Sequence, residues 1–170
     1  LSLLRARVTE GAVHYSGYIV VRKDGRFRDI ASLAGARIGF VSPQSASGFL
    51  FSRATLADAG LDLGSDLANA RFLGTHEAVV RAVLRDDIDG GATYFEGIQA
   101  ARATGAGTGE LRILAITSAI PSDALVARAG LHTDLVGRIV RSLDAIHTAN
   151  SEGRKALAEL PQVNGWVPVR

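Results

Sequence analysis

The sequence predicts an α/β fold, on three observations. Short β-branched and apolar runs alternate with stretches of helical period over most of the chain. Clusters of Gly, Pro, Asp and Ser punctuate the boundaries between them. Of the 170 residues 47% are hydrophobic and 21% charged, a share that builds a sizeable core and excludes an intrinsically disordered chain. The length suits one domain or two small lobes. Strands that alternate with helices pair in parallel through right-handed crossovers, so a sheet covered on both faces is expected.

Residues 18–22 lie between Gly17 and the turn Lys23-Asp24-Gly25 and predict the first strand. Residues 29–34 predict a short helical turn stopped by Gly35. Residues 37–41 predict a second, buried strand that runs into the loop Ser42-Pro43-Gln44-Ser45-Ala46-Ser47-Gly48. A helix is expected over 48–58, with Gly60 as its stop. Residues 70–73 give a third strand. Thr75 opens the next helix, in which Ala78, Val79, Ala82 and Val83 mark one buried face. Residues 88–92 return as a strand and 94–103 as a helix, followed by the flexible loop Gly105-Ala106-Gly107-Thr108-Gly109. Residues 111–117 form a strongly apolar strand. The longest helix is expected at 134–149, with Leu135, Ile139, Leu143 and Ile146 on one side. Residues 161–168 read as a turn-rich closing segment.

Composition excludes several classes of function. Nineteen basic against 17 acidic side chains leave a net charge of +2. No basic stripe with interleaved aromatics is present, so nucleic acid is not an expected partner. With no cysteine, disulfides, thiolate metal sites and cysteine nucleophiles are ruled out. His14, His76, His132 and His147 lack the paired spacing of a zinc site, and no metal or cofactor is expected. A membrane-spanning helix needs a run of about 18 uncharged apolar residues, and none occurs. The start, Leu1-Ser2-Leu3-Leu4-Arg5-Ala6-Arg7, lacks the basic-then-apolar build of a signal peptide, and the chain holds no methionine. The expectation is a mature product or a fragment.

Chemistry concentrates where strands give way to helices. In an open α/β sheet, ligands sit beyond the carboxyl ends of the strands. Ser45-Ala46-Ser47-Gly48 sets two hydroxyls and free amides at a helix start, where an oxyanion is favoured. The plain alternative is that Ser47 only caps the helix. In Gly74-Thr75-His76-Glu77, Thr75 suits the cap and Glu77 the positive first turn. A protonated His76 would oppose the helix dipole, whereas an anionic ligand would reverse that conflict; a surface histidine is the alternative. Asp123 in Ile120-Pro121-Ser122-Asp123 reads as a turn cap or an acceptor, and Glu96 as a solvated acid or an acceptor.

Taken in order, these segments resemble the phosphonate- and phosphite-binding proteins of bacterial ABC importers, within the type II periplasmic binding proteins. The similar run begins with His14-Tyr15-Ser16-Gly17-Tyr18-Ile19-Val20-Val21. It continues through Ile30-Ala31-Ser32-Leu33-Ala34-Gly35-Ala36-Arg37-Ile38-Gly39-Phe40, similar to the family's "sl.dLkGk.iaf" segment. The serine-rich loop, Thr75-His76-Glu77, Ile88-Asp89-Gly90-Gly91-Ala92 and Ser118-Ala119-Ile120-Pro121 follow in the family's order. The likeness covers residues 11–150.

The resemblance implies a type II periplasmic-binding-protein-like α/β fold, with one three-layer lobe of mostly parallel sheet plus part of a second lobe. It implies an N-terminal remnant of the first lobe at 1–12, a complete lobe with the anion site at 13–125, and a C-terminal helical return at 126–170. By position, Ser45, Ser47 and His76 match the family's phosphonate contacts, with Ala46 and Thr75 beside them. Tyr15 matches its cleft tyrosine, and Glu96 and Asp123 match the acids that hold a ligand's amino group. Ala46 stands where the family commonly has threonine, so one hydroxyl donor is lost. A full member also carries roughly another half-lobe before the segment that starts here.

The implied function is the substrate-binding component of an ABC importer. Its ligand would be a phosphonate, including an aminoalkylphosphonate, or a phosphite-like oxyanion held in an interlobe cleft. An ABC permease is the implied partner and the periplasm the implied location, with membrane contact only through the permease or an anchor outside this chain. A sensory ligand-binding module and a truncated, non-binding remnant are the alternatives. A hydrolytic triad of Ser45, His76 and Asp123 is disfavoured, because no Gly-x-Ser-x-Gly elbow surrounds Ser45.

Overall fold

The computed structural model describes residues 2–9, 11–62, 64–66, 69–160 and 162–169. Leu1 of the opening segment and Pro161 of the closing segment lie outside the described residues. In chain order the first elements are β1 (Ser2–Thr9), β2 (His14–Tyr15), β3 (Gly17–Arg22), β4 (Ile38–Phe40), α1 (Phe51–Asp58), β5 (Arg71–Phe72) and α2 (His76–Leu84). They are followed by β6 (Gly90–Tyr94), α3 (Phe95–Ala103), β7 (Leu111–Ile116), β8 (Ile120–Pro121), β9 (Ala124–Ala127), α4 (Thr133–Ala145), α5 (Ser151–Ala156) and β10 (Val163–Val167). The chain divides into two compact units: Leu1–Tyr15 together with Pro121–Arg170, and Ser16–Ile120.

The continuous unit is built on a five-stranded sheet in the order β5-β4-β6-β3-β7. β4 pairs in parallel with both β5 and β6, while β3 pairs antiparallel with β6 and β7. Four strands therefore run one way, as the mostly parallel expectation requires, and β3 alone is reversed in their midst. Its run Tyr-Ile-Val-Val is apolar on both faces because both are covered. Ile19 and Val21 join one core with Phe27, Leu33, Ile38, Phe40 and Leu56 of α1. Val20 points into a second core with Val79 and Val83 of α2 and Ile88. Two cores on opposite faces of one sheet make this unit three-layered.

Glycine sets how closely α2 approaches that sheet. A Cβ on Gly91 would collide with Val79 Cγ1 and lie 3.3 Å from Val83 Cγ2. Gly39 faces the same constraint, with Ile88 in its way and Leu73 Cδ1 3.1 Å off. Val79, Val80 and Val83 are consequently fully buried. Each contributes about 1.5–3 kcal/mol of apolar transfer.

The other unit has a three-stranded antiparallel sheet in the order β10-β1-β9. None of these three segments is expected as a strand from the sequence. The closing stretch expected to be turn-rich contains β10, with Gly165 at φ +151°. The helix expected over 134–149 stops at Ala145, because Asn150 Nδ2 donates to Ala145 O at 3.1 Å. Asn150 Oδ1 then accepts from Gly153 N at 2.6 Å and starts α5. Opposite α4, the Arg5 guanidinium grips Asp144 with two bonds of 2.6 and 2.7 Å, which holds that carboxyl below its ordinary range. Among the described residues no helix is long and apolar enough to cross a membrane.

The Gly91→Ala substitution is expected to destabilise the chain by about 1–3 kcal/mol in urea unfolding, by overpacking the α2 interface. Gly109→Ala, with nothing near its Cβ position, is expected to stay within about 0.5 kcal/mol of wild type. Equal midpoints for the two variants would contradict the close approach of α2 to the sheet.

Candidate functional site

Parallel pairing of β4 with β5 and β6 brings three strand ends to one edge of the sheet. Because β3 runs the other way, its first residue, Gly17, lies at the same edge, opposite Tyr94. From that edge depart the serine-bearing loop after β4, the start of α2 after β5, and the start of α3 after β6. The first two departures are tied together: Phe40 O accepts from Leu73 N at 2.8 Å and Val41 O from Gly74 N at 2.9 Å. Gly74, at φ +87°, then turns the chain into α2 through a conformation that suits glycine.

The loop after β4 closes as a π-helical turn over Ala46–Leu50 and continues as α1. Leu50 N donates to Ser45 O at 3.0 Å, a bond between residues five apart. Ser45, not Ser47, is the capping residue: its Oγ accepts from Gly48 N at 3.0 Å. Ser47 is 3% exposed, and its carbonyl accepts from Ser52 Oγ at 2.7 Å. Among the described residues Ser47 Oγ makes no hydrogen bond, which leaves that hydroxyl available. Two glycines allow this tight turn. A Cβ on Gly48 would stand 2.6 Å from Val41 Cβ and 2.7 Å from Ser45 Oγ, and one on Gly17 would stand 3.0 Å from Ser47 O. Ala46, the first residue of the turn, presents a methyl group and no side-chain donor.

Thr75 caps α2 as expected, its Oγ1 accepting from Ala78 N at 3.1 Å. Glu77 in the first turn pairs with Arg81 at 3.0 Å and accepts from Thr104 Oγ1 at 2.7 Å. His76 is the first residue of α2 and is half-buried. Its Nδ1 lies 3.3 Å from Thr93 Oγ1, and its ring packs on Tyr94 with centroids 4.3 Å apart. Burial pushes the imidazole down from 6.5 to about 4, so at neutral pH the ring is uncharged and carries one proton. An uncharged ring also removes the clash between a cation and the helix dipole.

The continuous unit thus brings Ser45, Ala46, Ser47, Thr75, His76 and Glu96 to neighbouring strand ends. Gly17 links them, standing close to Ser47 O on one side and opposite Tyr94, the residue that packs on His76, on the other. Glu96 is half-buried in the first turn of α3. Tyr15 and Asp123 belong to the discontinuous unit. There, Asp123 is neither a helix cap nor unmatched: its carboxylate pairs with Arg7 at 3.0 Å, and its carbonyl accepts from Arg7 N at 2.9 Å. A hydrolytic triad is also unsupported locally, since Nδ1 of His76 meets a threonine where a triad needs a carboxylate.

Thr93, Tyr94 and Gly97 were not singled out from the sequence. A Cβ on Gly97 would stand 2.5 Å from His76 Cβ and 2.7 Å from Thr93 Oγ1. The legible signal was a glycine inside a helix, which costs about 1 kcal/mol against alanine and so marks a close approach.

A family model described as ABC transporter, phosphonate, periplasmic substrate-binding protein matches residues 2–170. Among solved structures the chain is similar to a Xanthomonas citri protein bound to ATP, at 19% identity and TM-score 0.83, covering 99% of this chain and 65% of that one. It is similar to a binding-protein component of an ABC phosphonate transporter from Pseudomonas aeruginosa, at 23% identity and TM-score 0.78, covering 96% and 56%. A third is PhnD1 of Prochlorococcus marinus in complex with methylphosphonate, at 18% identity and TM-score 0.77, covering 99% and 65%. These likenesses show the fold, and the chain spans less than two thirds of the length of each. No curated protein matches the chain.

The depressed imidazole makes stability depend on pH. Between pH 6.5 and about 4 the unfolded chain takes up a proton at His76 that the folded chain refuses. This contribution is present above pH 6.5 and is lost as the pH falls toward 4. Unfolding midpoints of the wild type should drop across that window, and His76→Gln should flatten this part of the profile. An unchanged slope in His76→Gln would mean that His76 is not held neutral by burial.

Proposed function

We propose a ligand and a task from the premise that this chain belongs to the family of periplasmic phosphonate-binding proteins of ABC transporters. It contributes the oxyanion-holding lobe of an importer's substrate-binding component. The anion rests at the edge where β4, β5 and β6 end. The observation that carries this reading is the imidazole of His76, fixed against Thr93 and Tyr94 at the start of α2, on the same sheet edge from which the serine-bearing turn departs.

Three kinds of donor support it. Ser47 supplies a hydroxyl with no protein partner among the described residues. The first turns after Ser45 and Thr75 supply peptide N–H groups and the positive ends of helical dipoles. His76, uncharged at neutral pH, supplies one N–H. Donors without formal charge bind an oxyanion without first losing an ion pair of their own. An arriving anion favours the charged imidazole, so binding raises the His76 pKa and draws in a proton as the pH falls. Ala46 offers no hydroxyl, which leaves one oxygen of the ligand to peptide groups or water.

Glu96 provides the acceptor for a ligand with an ammonium group, making a short aminoalkylphosphonate the favoured substrate and simple alkylphosphonates or phosphite weaker ones. Delivery to an ABC permease from the periplasmic side completes the proposed role. The family acts in transport, and the arrangement around His76 needs no chemical step.

Calorimetric titration with methylphosphonate tests the anion contacts. His76→Ala and Ser47→Ala should each weaken binding about tenfold or more, the equivalent of a hydrogen bond to a charged group. Unchanged affinity in either variant removes that residue from the site. Glu96→Gln should weaken 2-aminoethylphosphonate more than methylphosphonate, and equal losses would reject the ammonium role.

A further inference from the structure

Thr93 lies in β6 with a side chain that is 0% exposed. A hydroxyl shut away from water needs an acceptor for its proton, and leaving one unpaired costs about 1–3 kcal/mol. Among the described residues, the one side-chain or backbone atom that hydrogen-bonds Thr93 Oγ1 is His76 Nδ1, at 3.3 Å. Were Nδ1 to carry the imidazole proton, Thr93 would accept that bond and its own proton would have no acceptor. The balance is met when Thr93 donates and Nδ1 accepts.

We infer that Thr93 is a positioning residue, whose hydroxyl holds the single proton of the neutral His76 ring on Nε2. The ring has little room to take another pose. Tyr94 packs against it at 4.3 Å between centroids. The backbone of α3 closes in at Gly97, where a Cβ would stand 3.2 Å from His76 Cγ. Turning the ring over would replace Nδ1 by a carbon and abandon the Thr93 hydroxyl. Nε2 is therefore a fixed donor, suited to an oxygen that bears no proton. That this donor serves an anion rests on the ligand reading above; the position of the proton does not.

The test is a long-range nitrogen–proton correlation spectrum of histidine-labelled protein at pH 7, with methylphosphonate titrations alongside. Wild type should show His76 protonated on Nε2 alone, and protonation on Nδ1 would overturn the inference. In Thr93→Val, of similar shape, the two tautomers should mix and the dissociation constant should rise about fivefold, the effect of one neutral hydrogen bond. Thr93→Ser should restore both properties to within about twofold. A Thr93→Val protein that keeps the pure Nε2 form would also overturn it. Should Thr93→Val fold poorly, the wild-type spectrum decides. A wild type with the Nε2 form and its dependence on residue 93, yet no methylphosphonate binding, supports the inference and overturns the ligand reading.

Discussion

The site rests on one constraint, the parallel alignment of β4 between β5 and β6. A strand pair of opposite sense would send one loop to each end of the sheet. Because all three run alike, hydroxyl, imidazole and carboxylate side chains from residues 45–47, 76 and 96 share an edge. The ladder continues past the strands themselves, through the bonds from Leu73 and Gly74 to Phe40 and Val41, so the two loops leave from locked starting points. Side-chain precision here derives from backbone pairing, which is the least adjustable part of the structure.

Close approach is the second requirement, and it explains where glycine stands. Gly17 and Gly48 admit the serine-bearing turn against the sheet, and Gly97 admits α3 against His76. At Gly97 the crowding that excludes a methyl group is against His76 itself, and burial keeps that imidazole uncharged. Packing and electrostatics are thus one property of the site: a looser fit of α3 at Gly97 would hydrate His76 and return it to an ordinary surface histidine.

Much of this was legible in the residues. The β-branched run of β3, the Thr75 cap and the valine face of α2 all follow local periodicities, and the structure follows them too. The strands of the discontinuous unit were not legible, for a physical reason. Arg5 and Arg7 interrupt β1 with charges whose partners, Asp144 and Asp123, lie more than a hundred positions away. No local window can show that those charges are matched. The choice of Ser45 over Ser47 as cap was hidden likewise, since it follows from a five-residue backbone bond that no propensity scale encodes. Thr93 is not legible because a threonine in a strand needs no explanation until its buried hydroxyl is seen to have one hydrogen-bond partner among the described residues.

The pairing of Ala6 with Val167 has a consequence for how the protein is made. β1 emerges from the ribosome long before β10 exists, a delay of about ten seconds or more at ordinary rates of synthesis. The continuous segment Ser16–Ile120 meets all of its own sheet partners well before then. The continuous unit therefore has every strand of its own sheet in hand while β1 still lacks β10.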